Sequence, residues 1–438
     1  MKRKNRAILA ICACLLLLVS WAIVIKSKSP IEKQSDLMKK ADALMMDGIY
    51  VRAVPLLEEA AGYKTKNTQI AQEQLKKAYL ALLETRGYRK KYRNLLEEQM
   101  RHERAEPEIF LEAAEHYMAS SQISEALKIL RYGIEKTGSE NLVAFYESNR
   151  YGYEVDRNIY EKAAAIFEGT SQVYREGLWG IANADGILLI PCQYDKISTF
   201  YIDRAIVMKD DVIYAVNKDN NRISKLSEEA LDFGNYAQNR IGLLLKEGWK
   251  RANGEFDIGS AVFEEIGMYS GGYAYGKIDG KWGVVDQSLN WLVPAIYEGI
   301  VCDELGRCYG QGAVFVKIGN EGVYLLINGQ KVGGPYDDAR PFSDVGFAAV
   351  KRNGKWGYID LEGTVQIGFQ FEDALSFGQH LAAVKTQGGW GYINESGRVV
   401  IEPIFDGAKS FSGGSAPVLT TRGWQFITLL EYRKEVRL

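Results

Sequence analysis

Three hydropathy regimes follow one another along the chain. Lys2, Arg3, Lys4 and Arg6 precede an uncharged apolar run over 7–25. From 31 to 151 apolar residues recur at three- and four-residue steps, as in Leu37, Ala41, Leu44 and then Ala53, Leu57, Ala60, the period of amphipathic helices. After about residue 158 the pattern changes to short runs closed by glycine. Phe347-Ala348-Ala349-Val350-Lys351 and Trp356-Gly357-Tyr358-Ile359-Asp360 are joined through Asn353-Gly354, a pair suited to a tight hairpin because both residues tolerate positive φ. A second turn at Glu362-Gly363 leads to Val365–Ile367, so each unit offers three or four short strands.

The uncharged run is 19 residues, long enough to cross a bilayer as a helix. Its flanking cations predict a single-pass anchor: a cytoplasmic tail over 1–6, a transmembrane helix over 7–25, and the bulk of the chain outside the cell membrane. Other readings are a secretory signal cleaved near Ser20-Trp21-Ala22, a lipoprotein box at Ile11-Cys12-Ala13-Cys14, and a buried helix of a soluble domain.

The third regime repeats. Trp179-Gly180, Trp282-Gly283, Trp356-Gly357 and Trp390-Gly391 each open a strand-like run, and Trp249 and Trp424 fall on the same period. The Trp356 to Trp390 and Trp390 to Trp424 intervals are both 34 residues, and Trp249 to Trp282 is 33. Tyr214 and Tyr324 fill the empty slots, and extra residues fall around 302–311. An aromatic–acid pair follows each unit: Tyr194-Asp195, Phe263-Glu264, Tyr297-Glu298, Tyr336-Asp337, Phe371-Glu372, Phe405-Asp406. Tyr160-Glu161 occupies that slot ahead of Trp179, which starts the array near residue 158. This pattern resembles the WG repeat family of bacterial proteins over 158–438, in about eight units. Trp249-Lys250, Trp424-Gln425, Tyr214-Ala215 and Tyr324-Leu325 depart from its consensus. A small sheet cannot bury its faces alone, so neighbours must stack on it. The tryptophan is expected to be the apolar wedge between sheets, the glycine to admit a close backbone, and the acid to cap a turn. A closed β-propeller is favoured because closure removes exposed sheet edges; an open β-solenoid is the alternative.

Within 31–151, Ala114, Tyr117, Ala126, Leu130 and Gly133 stand at the small and large offsets of a tetratricopeptide repeat, as do Ala41, Leu44, Ala53, Leu57 and Ala60. A third set, Tyr79, Leu82 and Leu95, is weaker. The segment resembles a degenerate tetratricopeptide array, which implies stacked helical hairpins; a plain helical spacer is the alternative. Pro107 marks a helix start and Ser124 an N-cap. The expected fold is therefore multidomain: transmembrane helix, tetratricopeptide-like α-helical hairpins, then an all-β repeat domain.

Charge is nearly balanced, 54 Lys plus Arg against 56 Asp plus Glu, which argues against nucleic-acid binding. Five cysteines and three histidines form no zinc pattern, and no cofactor or metal is expected. Cys302 and Cys308 flank the insertion, which is expected to protrude; they are candidates for a disulfide, with two free thiols as the alternative. No nucleophile elbow, zinc-protease helix or phosphate loop is present. Gly310-Gln311-Gly312 lacks a following helix, and Asp219-Asn220-Asn221 lacks calcium-loop spacing. His102, His116 and His380 read as packed or solvated side chains, and Glu264-Glu265 and Asp337-Asp338 as repeat positions. These absences leave recognition: a non-enzymatic membrane-anchored binding or scaffolding protein for a protein or envelope-glycan partner, with Tyr273, Tyr275 and Tyr309 as candidate contacts. The alternatives are an envelope glycan hydrolase using a carboxylate pair and a purely structural spacer with no ligand.

Overall fold

The computed structural model describes residues 28–225 and 229–432. It divides into a helical unit ending at Tyr146 and a β unit beginning at Glu147.

Seven helices are described: α1 (Pro30–Met46), α2 (Tyr50–Ala61), α3 (Thr68–Ala81), α4 (Tyr88–Arg101), α5 (Pro107–Ala119), α6 (Ile123–Thr137) and α7 (Glu140–Asn149). A capping box starts α1: the Ser29 N–H donates to the Glu32 carboxylate at 2.8 Å while the Glu32 N–H donates to Ser29 Oγ at 3.3 Å. Pro107 opens α5 as expected. Ser124 does not cap α6; Gln122 holds that position and Ser124 is buried in the first turn. Small residues set the helix spacing. Ala41, Ala53, Ala60, Ala114 and Ala126 are fully buried, and a Cβ on Gly133 would sit 2.7 Å from the Phe110 ring and 2.9 Å from Leu142.

The expected transmembrane helix over 7–25 is not supported. Among the described residues no helix is long and apolar enough to cross a membrane, and 7–25 themselves lie outside those residues. The described helices are amphipathic; α1 alone carries Glu32, Lys33, Asp36, Lys39, Lys40 and Asp42. The single-pass cell-membrane localisation falls with that helix.

The β unit is a ring of eight antiparallel sheets. The sixth shows the plan: Asp338–Ala339, Ala348–Arg352, Lys355–Ile359 and Val365–Phe371, paired in chain order. Asn353 and Gly354, with φ of 51° and 78°, make the central hairpin turn. The fourth strand ends at Phe371, and after Glu372 alone the chain resumes at Asp373–Ala374 as the first strand of the seventh sheet. The last sheet consists of Gly407–Ala408, Ser415–Thr420 and Gly423–Leu429, and takes its fourth strand from Tyr153–Val155, with Val155 opposite Ile427. Tyr160 then bridges Trp424 before the chain enters the first sheet at Lys162–Ala163. The first and last sheets therefore touch, and the ring closes as a β-propeller, not an open solenoid.

Each recurring slot of the unit has a physical role. In the first, fourth, sixth and seventh sheets the fourth strand crosses directly over the glycine after tryptophan. A Cβ there would lie 2.5 Å from Ile190 O at Gly180, 2.4 Å from Val293 O at Gly283, 2.6 Å from Ile367 O at Gly357 and 2.5 Å from Ile401 O at Gly391. The ladder bulges at this point. In the fifth sheet the dipeptide is Tyr324-Leu325, and the glycine has moved to the opposing strand: Leu325 faces Gly333. In the eighth, Gln425 stands in the slot and its Nε2 donates to Asp156 O at 2.7 Å. The third sheet, with Trp249-Lys250, has three strands and only isolated bridges in place of the fourth.

The acid of the aromatic–acid pair caps the next sheet's hairpin. Backbone N–H groups of Asp210, Gly280, Gly319 and Gly354 donate to Asp195, Glu264, Glu298 and Asp337 at 2.8 to 2.9 Å. Asn183, Asn217, Asn253, Asp286 and Asn394 close the following turn by accepting two backbone N–H groups each.

The tryptophans differ from expectation. Trp356 is 2 % exposed, but Trp179, Trp249, Trp282, Trp390 and Trp424 are half-buried. Cations cover several of them: Lys277 lies 5.4 Å from the Trp282 ring, Arg340 4.5 Å from Trp356 and Lys409 5.5 Å from Trp424. The deeper wedge is the aromatic two residues on. Tyr358 and Tyr392 are fully buried, and their hydroxyls donate across to the next sheet, to Leu375 O at 3.0 Å and Lys409 O at 2.8 Å.

Two outcomes test this division of labour. Trp356→Ala should cost about 3–5 kcal/mol and lower the melting temperature of the β unit, with Trp390→Ala milder. Tyr358→Phe should cost about 1–3 kcal/mol by leaving the Leu375 carbonyl unpaired; equal melting of Tyr358→Phe and the parent would remove the hydroxyl's role. Glu298 gives a pH test. Lys281 at 2.8 Å and the Gly319 N–H hold its carboxyl down at about 2. A lowered carboxyl stabilises the fold above its unfolded value near 4.5 and loses that contribution as pH falls towards about 2. The melting difference between the parent and Glu298→Gln should therefore shrink across that window; a constant difference contradicts the cap.

Candidate binding cavity on the axis of the ring

The segment after each first strand turns inward, and its residues meet around the axis. On one side the centre is filled. Asn235, from the third sheet, accepts from Gln172 Nε2 at 3.3 Å and from the Thr199 N–H at 3.2 Å, and donates to Leu305 O at 3.3 Å, so one amide ties together sheets one, two, three and five. Leu305 packs with Ala165, Ala237 and Met268 in a small apolar plug.

The plug comes from the insertion in the fifth sheet. That loop was expected to protrude; instead it folds into the ring. Asp303 closes it as a tight turn, accepting the Leu305 and Arg307 N–H groups at 2.9 Å each and pairing with the Arg307 guanidinium. The apolar tip at Leu305 drives it inward, since burial of that side chain is available only at the axis. Glu304 then reaches across to the eighth sheet, pairing with Lys409 at 3.1 Å and accepting the Ser410 N–H at 3.1 Å. Cys302 and Cys308 bracket the turn as free thiols within one apolar cluster. The neighbouring Cys302 and burial push the Cys308 thiol well up.

On the other side, against sheets six to eight, the axis stays open. A cavity of about 450 Å³ lies there, within the range of about 300–1,000 Å³ of small-molecule sites. Its far wall is a chain of hydroxyls: Ser376 Oγ donates to Pro341 O at 2.8 Å, and Ser410 Oγ to Ser376 O at 3.1 Å. Tyr309 and Phe342 present half-buried rings to it. Arg340 also lines it but is held by Asp338 at 3.3 Å and by the Trp356 ring.

Of the three candidate tyrosines, Tyr309 alone reaches the cavity. Tyr273 packs on it with tilted rings at 4.7 Å, and the Tyr275 hydroxyl is spent on Glu265 at 3.0 Å. The repeat residues Trp179, Gly180, Trp249, Trp282, Gly283, Trp356, Gly357, Trp390, Gly391 and Trp424 do not line it. The histidines are as read: His102 and His380 are exposed, and His116 packs edge-on to Tyr92 at 4.8 Å, its imidazole kept low by burial and the nearby Arg93. Among the described residues no cluster of three or more His, Cys, Asp or Glu could hold a metal.

A family model described as WG containing repeat matches residues 179–212, 260–282, 336–356, 356–389 and 390–421. These stretches of the β unit carry WG repeats. Within the array the unmatched stretches 213–259 and 283–335 hold the end of the second sheet, most of the third, the end of the fourth and the fifth, and no part of the helical unit is matched. A comparison with curated proteins finds no match. Among solved structures, the chain is similar to PorZ, a surface component of the type-IX secretion system of Porphyromonas gingivalis, at 12% identity and a TM-score of 0.35, over 61% of this chain and 42% of that one. It is also similar to the Neurospora crassa Pan2 WD40 domain, at 10% identity and 0.33 over 68% and 94%, and to the β-propeller domain of the Trilobed protease from Pyrococcus furiosus, at 12% and 0.34 over 55% and 99%. At these TM-scores the likeness adds nothing to the ring traced by strand pairing.

Thiol chemistry checks the inward loop. Maleimide should modify half-buried Cys302 faster than buried Cys308 in the native chain. Equal rates contradict the inward fold, and labelling that requires a reductant shows the pair bridged in solution.

Proposed function

We propose that this chain is a non-enzymatic binding or scaffolding protein whose β ring holds a protein or glycan partner at its axis. One observation carries the reading. The Trp-Gly and capping-acid positions are engaged in holding sheets together, whereas the segment after each first strand, including the recurring aromatics Tyr309, Phe342, Phe377 and Phe411, lines the axial cavity. Side chains spent on the framework are not open to a ligand; those lining the cavity are. The helical hairpins read as a tetratricopeptide-like second surface, supported by the small residues at their closest contacts.

A glycan hydrolase needs two available carboxyl groups about 5–10 Å apart across a groove, one of them raised to act as an acid. Asp303 and Glu304 are each committed, to backbone N–H groups and to Arg307 and Lys409 respectively, and this supports binding over turnover.

Full-length chain incubated with soluble neutral polysaccharides, scored for both retention and release of reducing ends, separates the two. Retention without release is expected. Release that Asp344→Asn abolishes would establish the hydrolase and overturn the binding reading.

A further inference from the structure

The axial cavity is asymmetric, and its asymmetry carries information about what enters. The plug packs against sheets one, three and four, so a ligand meets the loop over 303–311 and the arc of sheets six to eight, with Ala165, Ile166, Ser270 and Gly271 closing the remainder.

We propose that the cavity takes a neutral pyranose unit of a glycan; this rests on the binding reading above and names the ligand class for its site. Three features point the same way. The first is the pairing of surfaces. Tyr309 and Phe342, from adjacent sheets, line the cavity as half-buried rings, Phe342 backed by Phe315 stacked at 5.8 Å and Tyr309 by the tilted ring of Tyr273. A pyranose has one apolar C–H face and an edge of hydroxyls, the complement of an aromatic face beside polar groups.

The second is the state of the amides. Gln311 donates through Nε2 to Ser343 O at 2.9 Å, which fixes the side chain and leaves Oε1 as an acceptor. Gln379 accepts the Gly414 N–H, which leaves Nε2 as a donor. One pre-oriented acceptor and one pre-oriented donor suit a hydroxyl, which needs both. The Ser270 and Ser412 side chains also line the space.

The third is charge. Arg307 and Arg340 are occupied by Asp303 and Asp338, while Asp344 lines the cavity exposed and without an ion-pair partner among the described residues. Glu304 is likewise paired, with Lys409, so the unpaired charge lining the space among the described residues is the Asp344 carboxylate, and a phosphate, sulfate or uronate would enter against its repulsion. A neutral sugar meets no such cost.

Isothermal titration of the full chain tests this with four probes: cellotriose, chitotriose, trigalacturonate and a lysine-rich peptide. A neutral trisaccharide should release heat at millimolar concentration and trigalacturonate should not. Tyr309→Leu and Gln311→Ala should each weaken the neutral sugar about tenfold with an unchanged melting temperature. Should Tyr309→Leu fail to fold, Gln311→Ala, at an exposed position, carries the same test. Silence of both neutral sugars, equal affinity in the variants, or binding of the peptide alone overturns the assignment. A glycan or protein partner that both variants retain leaves the binding reading standing and removes this one; loss of all partners removes both.

Discussion

The ring depends on one close approach. In four sheets the fourth strand passes so near the third that a single methyl group after tryptophan would collide with its backbone. That contact places the bulge, the bulge turns the strand, and the turned strand delivers the chain to the next sheet after a single residue. Where glycine is missing the constraint is met otherwise, by Gly333 opposite Leu325 or by the Gln425 amide on Asp156. The sequence can lose its signature dipeptide without losing its geometry.

Around this contact the unit divides its labour. Tyr358 and Tyr392 fill the space between sheets and bond across it, while the half-buried Trp282 and Trp424 lie under Lys277 and Lys409. Acids and amides hold the two turns. With the framework so occupied, the segment after each first strand is left to shape the axis.

The period of Trp282, Trp356 and Trp390, the Asn353-Gly354 turn and the capping acids were legible because each is a local demand repeated many times. Closure was favoured on edge chemistry, and Tyr160-Glu161 betrayed the hidden start of the array. What the sequence concealed is non-local. The direction of the 302–311 insertion depends on where Leu305 finds apolar company, in Ala165, Ala237 and Met268 from three other sheets. The role of Tyr358 depends on a carbonyl 17 residues on. Nor does hydropathy alone establish a membrane span: among the described residues no helix has the length and apolarity to cross a bilayer.

The strand at Tyr153–Val155 has a kinetic consequence. Gln425 meets Asp156 across 269 residues of chain, so the last sheet cannot be completed until nearly all of the β unit has been synthesised. Seven sheets can zip from local hairpins as they emerge, each offering a template to the next. The eighth must wait for both ends and bears a long loop-closure cost. During that interval the outer strand of Gly423–Leu429 is an unpaired edge with its hydrogen-bonding groups bare, able to accept the equivalent strand of a second chain. Chain exchange at high concentration would therefore begin at this seam.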